Sequence, residues 1–81
     1  MDIKKVRIYD NNGESLDRYT VVIELKDEKL FYGMSEHATG FNMFLGSDKD
    51  GYEEGEHLGT IVNYDTMNDE VKTAIRQRMF Q

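Results

Sequence analysis

Apolar residues alternate with polar ones through most of this chain and change to helical spacing only near the C-terminus. Ile3, Val6 and Ile8 open the pattern. Lys5 and Arg7 lie on the other face from Val6 and Ile8, which predicts a first strand. Asp10-Asn11-Asn12-Gly13-Glu14-Ser15 follows, and Asp, Asn and Gly tolerate left-handed backbone and bond locally, so a turn is expected. Arg18 to Leu25 is the strongest strand in the chain. Tyr19, Val21, Ile23 and Leu25 share one of its faces, and Arg18, Thr20, Val22 and Glu24 share the other. Lys26 to Lys29 has the length of a hairpin loop, and Leu30, Tyr32 and Met34 continue as a third strand antiparallel to the second. Residues 35–40 break the alternation. Phe41, Met43 and Leu45 resume it as a short fourth strand, and an acidic, glycine-containing loop occupies residues 46–57. Leu58 to Tyr64 reads as a last strand, with Leu58, Thr60, Val62 and Tyr64 on one side.

The C-terminal segment is helical in period. Val71, Ala74, Ile75 and Met79 fall on one face. Asp65, Thr66 or Asn68 can cap its start, Asp69 and Glu70 sit in the first turn, and Lys72, Arg76 and Arg78 lie late, where cations suit the helix dipole. The fold class expected is α+β: one domain over residues 1–81, a small curved antiparallel sheet of four to five strands closed on one face by a C-terminal α-helix.

Composition narrows the function classes. The 81 residues include no Cys and no Pro, so no disulfide staples the fold and no thiolate holds zinc. Sixteen Asp and Glu against ten Lys and Arg leave a formal charge of -6. That sign disfavours direct binding to nucleic acid, which needs cations opposite phosphates, and steers association toward basic surfaces. No apolar run approaches a membrane span, and the basic N-terminus has no apolar stretch after it, so neither a membrane segment nor a signal peptide is expected. A cytoplasmic location is the default. Homodimerisation stays open, since small disulfide-free domains often gain stability that way.

Reactive constellations are weak. His37 and His57, with Glu36 and Glu56, lack the local spacing of a metal motif and read more simply as surface histidines. Asp48-Lys49-Asp50-Gly51 resembles the opening of a calcium loop, but its Gly comes fourth and strands flank it. Gly33-Met34-Ser35-Glu36-His37 lacks the second Gly of a nucleophile elbow, and Ser35, His37 and Asp17 are the only triad the chain could offer. Gly51, Gly55 and Gly59 carry no following Lys-Ser or Lys-Thr and mark turns in acidic loop sequence. No catalytic residue, metal or cofactor is therefore assigned.

Two polar clusters remain. Asp10, Asn11, Asp17, Arg18 and Tyr19 converge at one end of a hairpin. There Arg18 is either tied to an acid or, with Asn11, Tyr19 and Ser35, lines a site for a small anionic ligand. The second cluster is the run from Asp48 to His57, which holds five acids and one Lys around Tyr52. Such runs are ordinarily solvated surface, yet acids flanking an aromatic ring also make an interface anchor. Five Tyr and four Phe are many for a core this small. One of Phe31 and Tyr32, and one of Phe44 and its neighbours, is expected at the surface unless loops or a second subunit cover the sheet's other face.

The stretches Val6-Arg7-Ile8-Tyr9-Asp10-Asn11-Asn12-Gly13, Asp17-Arg18-Tyr19-Thr20-Val21-Val22, Tyr32-Gly33-Met34-Ser35, Gly40-Phe41-Asn42 and His57-Leu58-Gly59 carry a resemblance. The chain resembles a family of small, mostly uncharacterised proteins encoded by bacteriophages, plasmids and other mobile elements. The similarity covers most of the chain, and Asp17-Arg18-Tyr19-Thr20 is its most specific part. Asn12 stands where that pattern has Gly, and the segment after Ser35 lacks its Pro. The resemblance implies a mobile-element setting and no activity. Together with the charge it leads to the expectation of an accessory protein that binds and inhibits a host protein, an anti-defence factor of the anti-CRISPR kind. Asp48, Asp50, Glu53, Glu54 and Glu56 would meet a basic surface of that protein, with Tyr52 as anchor. A protein that sequesters a nucleotide or signalling molecule is the alternative.

Overall fold

The computed structural model describes residues 4–14, 18–35 and 42–79. It contains β1 (Lys5–Asp10), β2 (Tyr19–Glu24), β3 (Lys29–Met34), β4 (Asn42–Ser47), β5 (Thr60–Val62) and α1 (Asp69–Met79). The strands form one antiparallel sheet in the order β4-β3-β2-β1-β5.

Local chemistry explains the meander. β-branched and aromatic residues at period two favour pleated backbone, and β1 pairs β2 from Lys5↔Glu24 to Asp10↔Tyr19. The β2–β3 hairpin closes where Leu25 N–H donates to Glu28 O at 2.8 Å. In the first turn Asn12 takes φ 62° and Gly13 φ 82°, so the left-handed step falls on two residue types that accept it. β4 pairs β3 with a register shift between Phe31 and Tyr32, which sets Phe44 opposite Tyr32 and Gly46 opposite Phe31. Leu45 is the extra residue of this bulge.

β5 departs from the expected element. Leu58 and Tyr64 belong to short 3-10 turns, Glu56–Leu58 and Tyr64–Thr66, and only Thr60–Val62 is strand. Gly59 is the cause at one end. Its φ is +110°, and a Cβ there would lie 2.1 Å from Asp10 O, so chain direction changes at a position only glycine can hold. Asn63 is the cause at the other end, where its side chain accepts from Asp65 N–H at 2.9 Å and turns the chain out of the ladder. Leu58 consequently packs on one face of the sheet and Val62 and Tyr64 on the other.

The helix covers one face. Val71 and Ile75, with Met67 before the helix, bury against Ile8, Tyr19, Val21, Ile23, Leu30 and Met34. Asn68 is the N-cap; its Oδ1 accepts from Val71 N–H at 2.9 Å. The side chains of the other two expected face positions, Ala74 and Met79, lie outside the described set.

The second face is covered as well. Tyr9, Val22 and Phe31 form a smaller cluster there, joined by Leu45 and Leu58. The strand order demands this. β4 and β5 are opposite edges, so residues 48–59 must carry the chain across about four inter-strand spacings of ~4.8 Å each. They do so over Phe31, which is 1% exposed. Of the expected aromatic pair, neither partner is fully exposed, because the acidic segment roofs Phe31 on one face and Tyr32 packs against the helix-side core on the other. Phe44, at 52%, is the exposed member of the second group and lies 5.2 Å, ring to ring, from Tyr32. Phe41 falls outside the described residues.

Candidate partner-binding surface

The crossing segment is built from both its ends and its middle. At its start Ser47 and Asp50 form a capping box: Ser47 N–H donates to Asp50 Oδ2 at 2.9 Å, and Lys49 N–H to Ser47 Oγ at 3.2 Å. Asp48 Oδ1 accepts Lys29 N–H at 3.2 Å, which ties the turn to β3. Tyr52 stacks on Phe31 with centroids 5.7 Å apart. Its ring occupies the space above Gly46, where a Cβ would come within 2.7 Å of Tyr52 Cε2. The aromatic ring thus fills the gap left by an edge-strand glycine.

Glu54 holds the middle. Its carboxylate accepts from Arg7 Nε, from Arg7 Nη2 at 2.8 Å, from Tyr9 OH at 2.6 Å and from Lys29 Nζ at 3.1 Å. Arg7 Nη2 also donates to Glu24 Oε1 at 2.8 Å. The Glu54 side chain is only 10% exposed. The Arg7 guanidinium, against the opposing cost of burial and with help from Tyr9 and Lys29, pulls the Glu54 carboxyl down to about 2. The same contact with Glu54 raises Arg7 further above its already high value, and burial, then the bond to Glu54, pushes the Tyr9 phenol up.

The five acids expected to act together therefore divide. Glu54 faces the sheet as the internal ligand of Arg7, Tyr9 and Lys29, where the crossing loop passes the cations of β1 and β3. Asp50 stands at the surface while one of its oxygens caps the turn. Asp48, Glu53 and Glu56 are exposed, and Tyr52 keeps 41% of its surface accessible. His57 is exposed beside them. Alternation places Lys5 and Arg7 on the other face of β1 from Val6 and Ile8, but nothing local to residue 54 marks it as the partner of Arg7; the link spans 47 residues.

The first-turn cluster is also resolved in part. Arg18 Nε donates to Asp10 Oδ1 at 2.9 Å and Nη2 to Oδ2 at 3.1 Å, a two-pronged pair. The guanidinium also lies 5.5 Å from the Tyr19 ring centroid. Arg18, then the Asn12 backbone N–H, hold the Asp10 carboxyl below its ordinary value against the effect of burial. Asn11 Oδ1 accepts from Gly13 N–H at 3.0 Å and Glu14 N–H at 3.2 Å. Asn11 N–H donates to Arg18 O, and Ser35 follows Met34, the partner of Tyr19, so Asn11, Arg18 and Ser35 share one end of the sheet. The Tyr19 ring is buried under the helix. Arg18 is tied to an acid here, as a structural role requires. Asp17 and His37 lie outside the described residues, as does Glu36.

Among the described residues no group of three or more His, Asp and Glu side chains is placed to hold a metal ion, and no helix is long and apolar enough to cross a membrane. No protein family, curated protein or solved structure matches the chain.

Proposed function

We propose that this protein is a binding module whose rigid acidic loop docks on a basic surface of a partner protein. One observation carries the reading. The segment from Asp48 to Leu58 is fastened to the sheet by a capping box, a ring stack and the Glu54 network, yet it leaves Asp48, Glu53, Glu56 and the edge of Tyr52 outward. A loop ordered before binding loses less entropy on docking than a mobile one. The acids supply steering and register, and the half-covered Tyr52 supplies apolar contact. The resemblance to mobile-element proteins extends the proposal to inhibition of a host protein, of the anti-CRISPR kind.

The test is capture from bacterial lysate on the immobilised protein at about 0.05 and about 0.5 M salt, which span Debye lengths of roughly 14 and 4 Å. A protein with a basic surface should be retained at low salt and released at high salt. Glu53→Lys with Glu56→Lys should lower its retention about tenfold or more, and Tyr52→Ala should shorten its residence. Retention of the same partner by the charge-reversed loop would rule out the acidic mechanism.

A further inference from the structure

We propose that the open edge of β1 at Lys5–Arg7 is a second docking site, which takes an extended acidic segment of a partner protein as an added strand. β1 pairs β2 along its whole length, but β5 covers only Ile8, Tyr9 and Asp10 on the other side. Asn11 N–H donates to Arg18 O, and the alternation of an antiparallel ladder then turns the backbone of Asp10, Ile8 and Val6 toward β5. Asp10 and Ile8 meet Thr60 and Val62; β5 stops there, and among the described residues no strand lies beside Val6. An edge of this kind is a template for strand addition.

The edge borders a groove of about 520 Å³ lined by the apolar Val6, Ile8, Ile61, Val62 and Tyr64 and by the cations Lys5 and Arg7. Ile61 is 58% exposed, and among the described residues the groove's lining holds no acid. Two helix cations converge on its end. Lys72 Nζ sits 5.6 Å from the Tyr64 ring centroid, and Arg76 Nη2 donates to Tyr64 OH at 3.3 Å. Lys72 and Arg76 thus stand at Tyr64 on the helix side of the groove, and Lys5 on the opposite face of β1, in a chain whose net charge is -6. The Arg7 charge is matched by Glu24 and Glu54, which leaves Lys5 as the other cation of the described lining. Alternate side chains of an added strand point to opposite faces. One with acids on the Lys5 face and apolar residues on the Val6 and Ile8 face meets both sides of the edge. The opposite edge, β4, offers less, because the bulge at Leu45 distorts its ladder.

A short capped peptide alternating Glu with Val and Ile is the probe, and its Lys counterpart is the control. In NMR titrations the Glu peptide should shift the amides of Lys5 to Ile8 and slow hydrogen exchange at Val6. Lys5→Glu with Lys72→Glu should weaken it about tenfold or more, which corresponds to about 1.4 kcal/mol. Lys5→Gln with Lys72→Gln should give a smaller loss and serves if the charge-reversed variant does not fold. Glu53→Lys with Glu56→Lys should leave the affinity unchanged, which separates this surface from the acidic loop. Four results overturn the proposal: equal affinity for the Lys peptide, shifts confined to β4, no binding at about 1 mM peptide, or a dimer whose Val6 amide is already protected. In the last case the edge belongs to a second copy.

Discussion

Glu54 accepts from three side chains on two strands, so protonating it removes the acceptor that Arg7, Tyr9 and Lys29 share. Its folded value of about 2 lies below the ordinary 4.5, and a depressed carboxyl stabilises the fold fully only above its unfolded value. That stability is lost as pH falls through the folded value, and Asp10, depressed by Arg18, acts with the same sign. The urea midpoint should therefore fall steadily between about pH 5 and about pH 2. Glu54→Gln should flatten that slope and cost about 2–3 kcal/mol at neutral pH, since it leaves the mostly buried Arg7 guanidinium with Glu24 in place of two carboxylates. Arg18→Ala leaves the Asp10 carboxylate without its fork and should cost about 1–2 kcal/mol in urea unfolding, with only partial rescue by Lys. Gly59→Ala forces a side chain into Asp10 O at positive φ and should cost about 2 kcal/mol or more.

Helix α1 has 11 residues, too few to be stable alone in water. Its persistence depends on Val71 and Ile75, buried to 0% and 1% exposure, and on the cap at Asn68. Ile75→Ala should destabilise by about 2–4 kcal/mol, and Asn68→Ala by about 1 kcal/mol, both measurable by thermal or urea unfolding. The crossing segment behaves as an element too, although it has little regular structure. Its Tyr52 and Glu54 contacts seal Phe31. Combining Tyr52→Ala with Glu54→Ala should raise binding of a hydrophobic dye while the far-UV circular dichroism of sheet and helix persists.

At the scale of the molecule, opposite charges are segregated. Acids lie outward on the crossing segment, whereas Lys5 lines the β1–β5 groove and Lys72 and Arg76 stand at Tyr64 beside it. Added salt should weaken contacts at both surfaces, but reversal of charge at Glu53 and Glu56 or at Lys5 and Lys72 should leave the other surface intact, since none of these side chains belongs to both. The whole-molecule arrangement also explains why few of the described aromatic residues are bare. Two layers of cover, helix and loop, flank one sheet.

Much of this was legible along the chain. Period-two alternation located β1, β2 and β3 and assigned Val22 and Phe31 to the face opposite Val21 and Tyr32, because pleated backbone sends successive side chains to opposite sides. Helical spacing located α1 for the same kind of local reason. Strand order, the roofing of Phe31 and the inward turn of Glu54 had no local signal. They follow from β5 joining the far edge of the sheet, which forces residues 48–59 across its face and brings Glu54 to cations 25 and 47 positions away. Backbone geometry acts between neighbours and can be read from them, whereas the partner of a buried charge is chosen only when the whole chain has closed on itself.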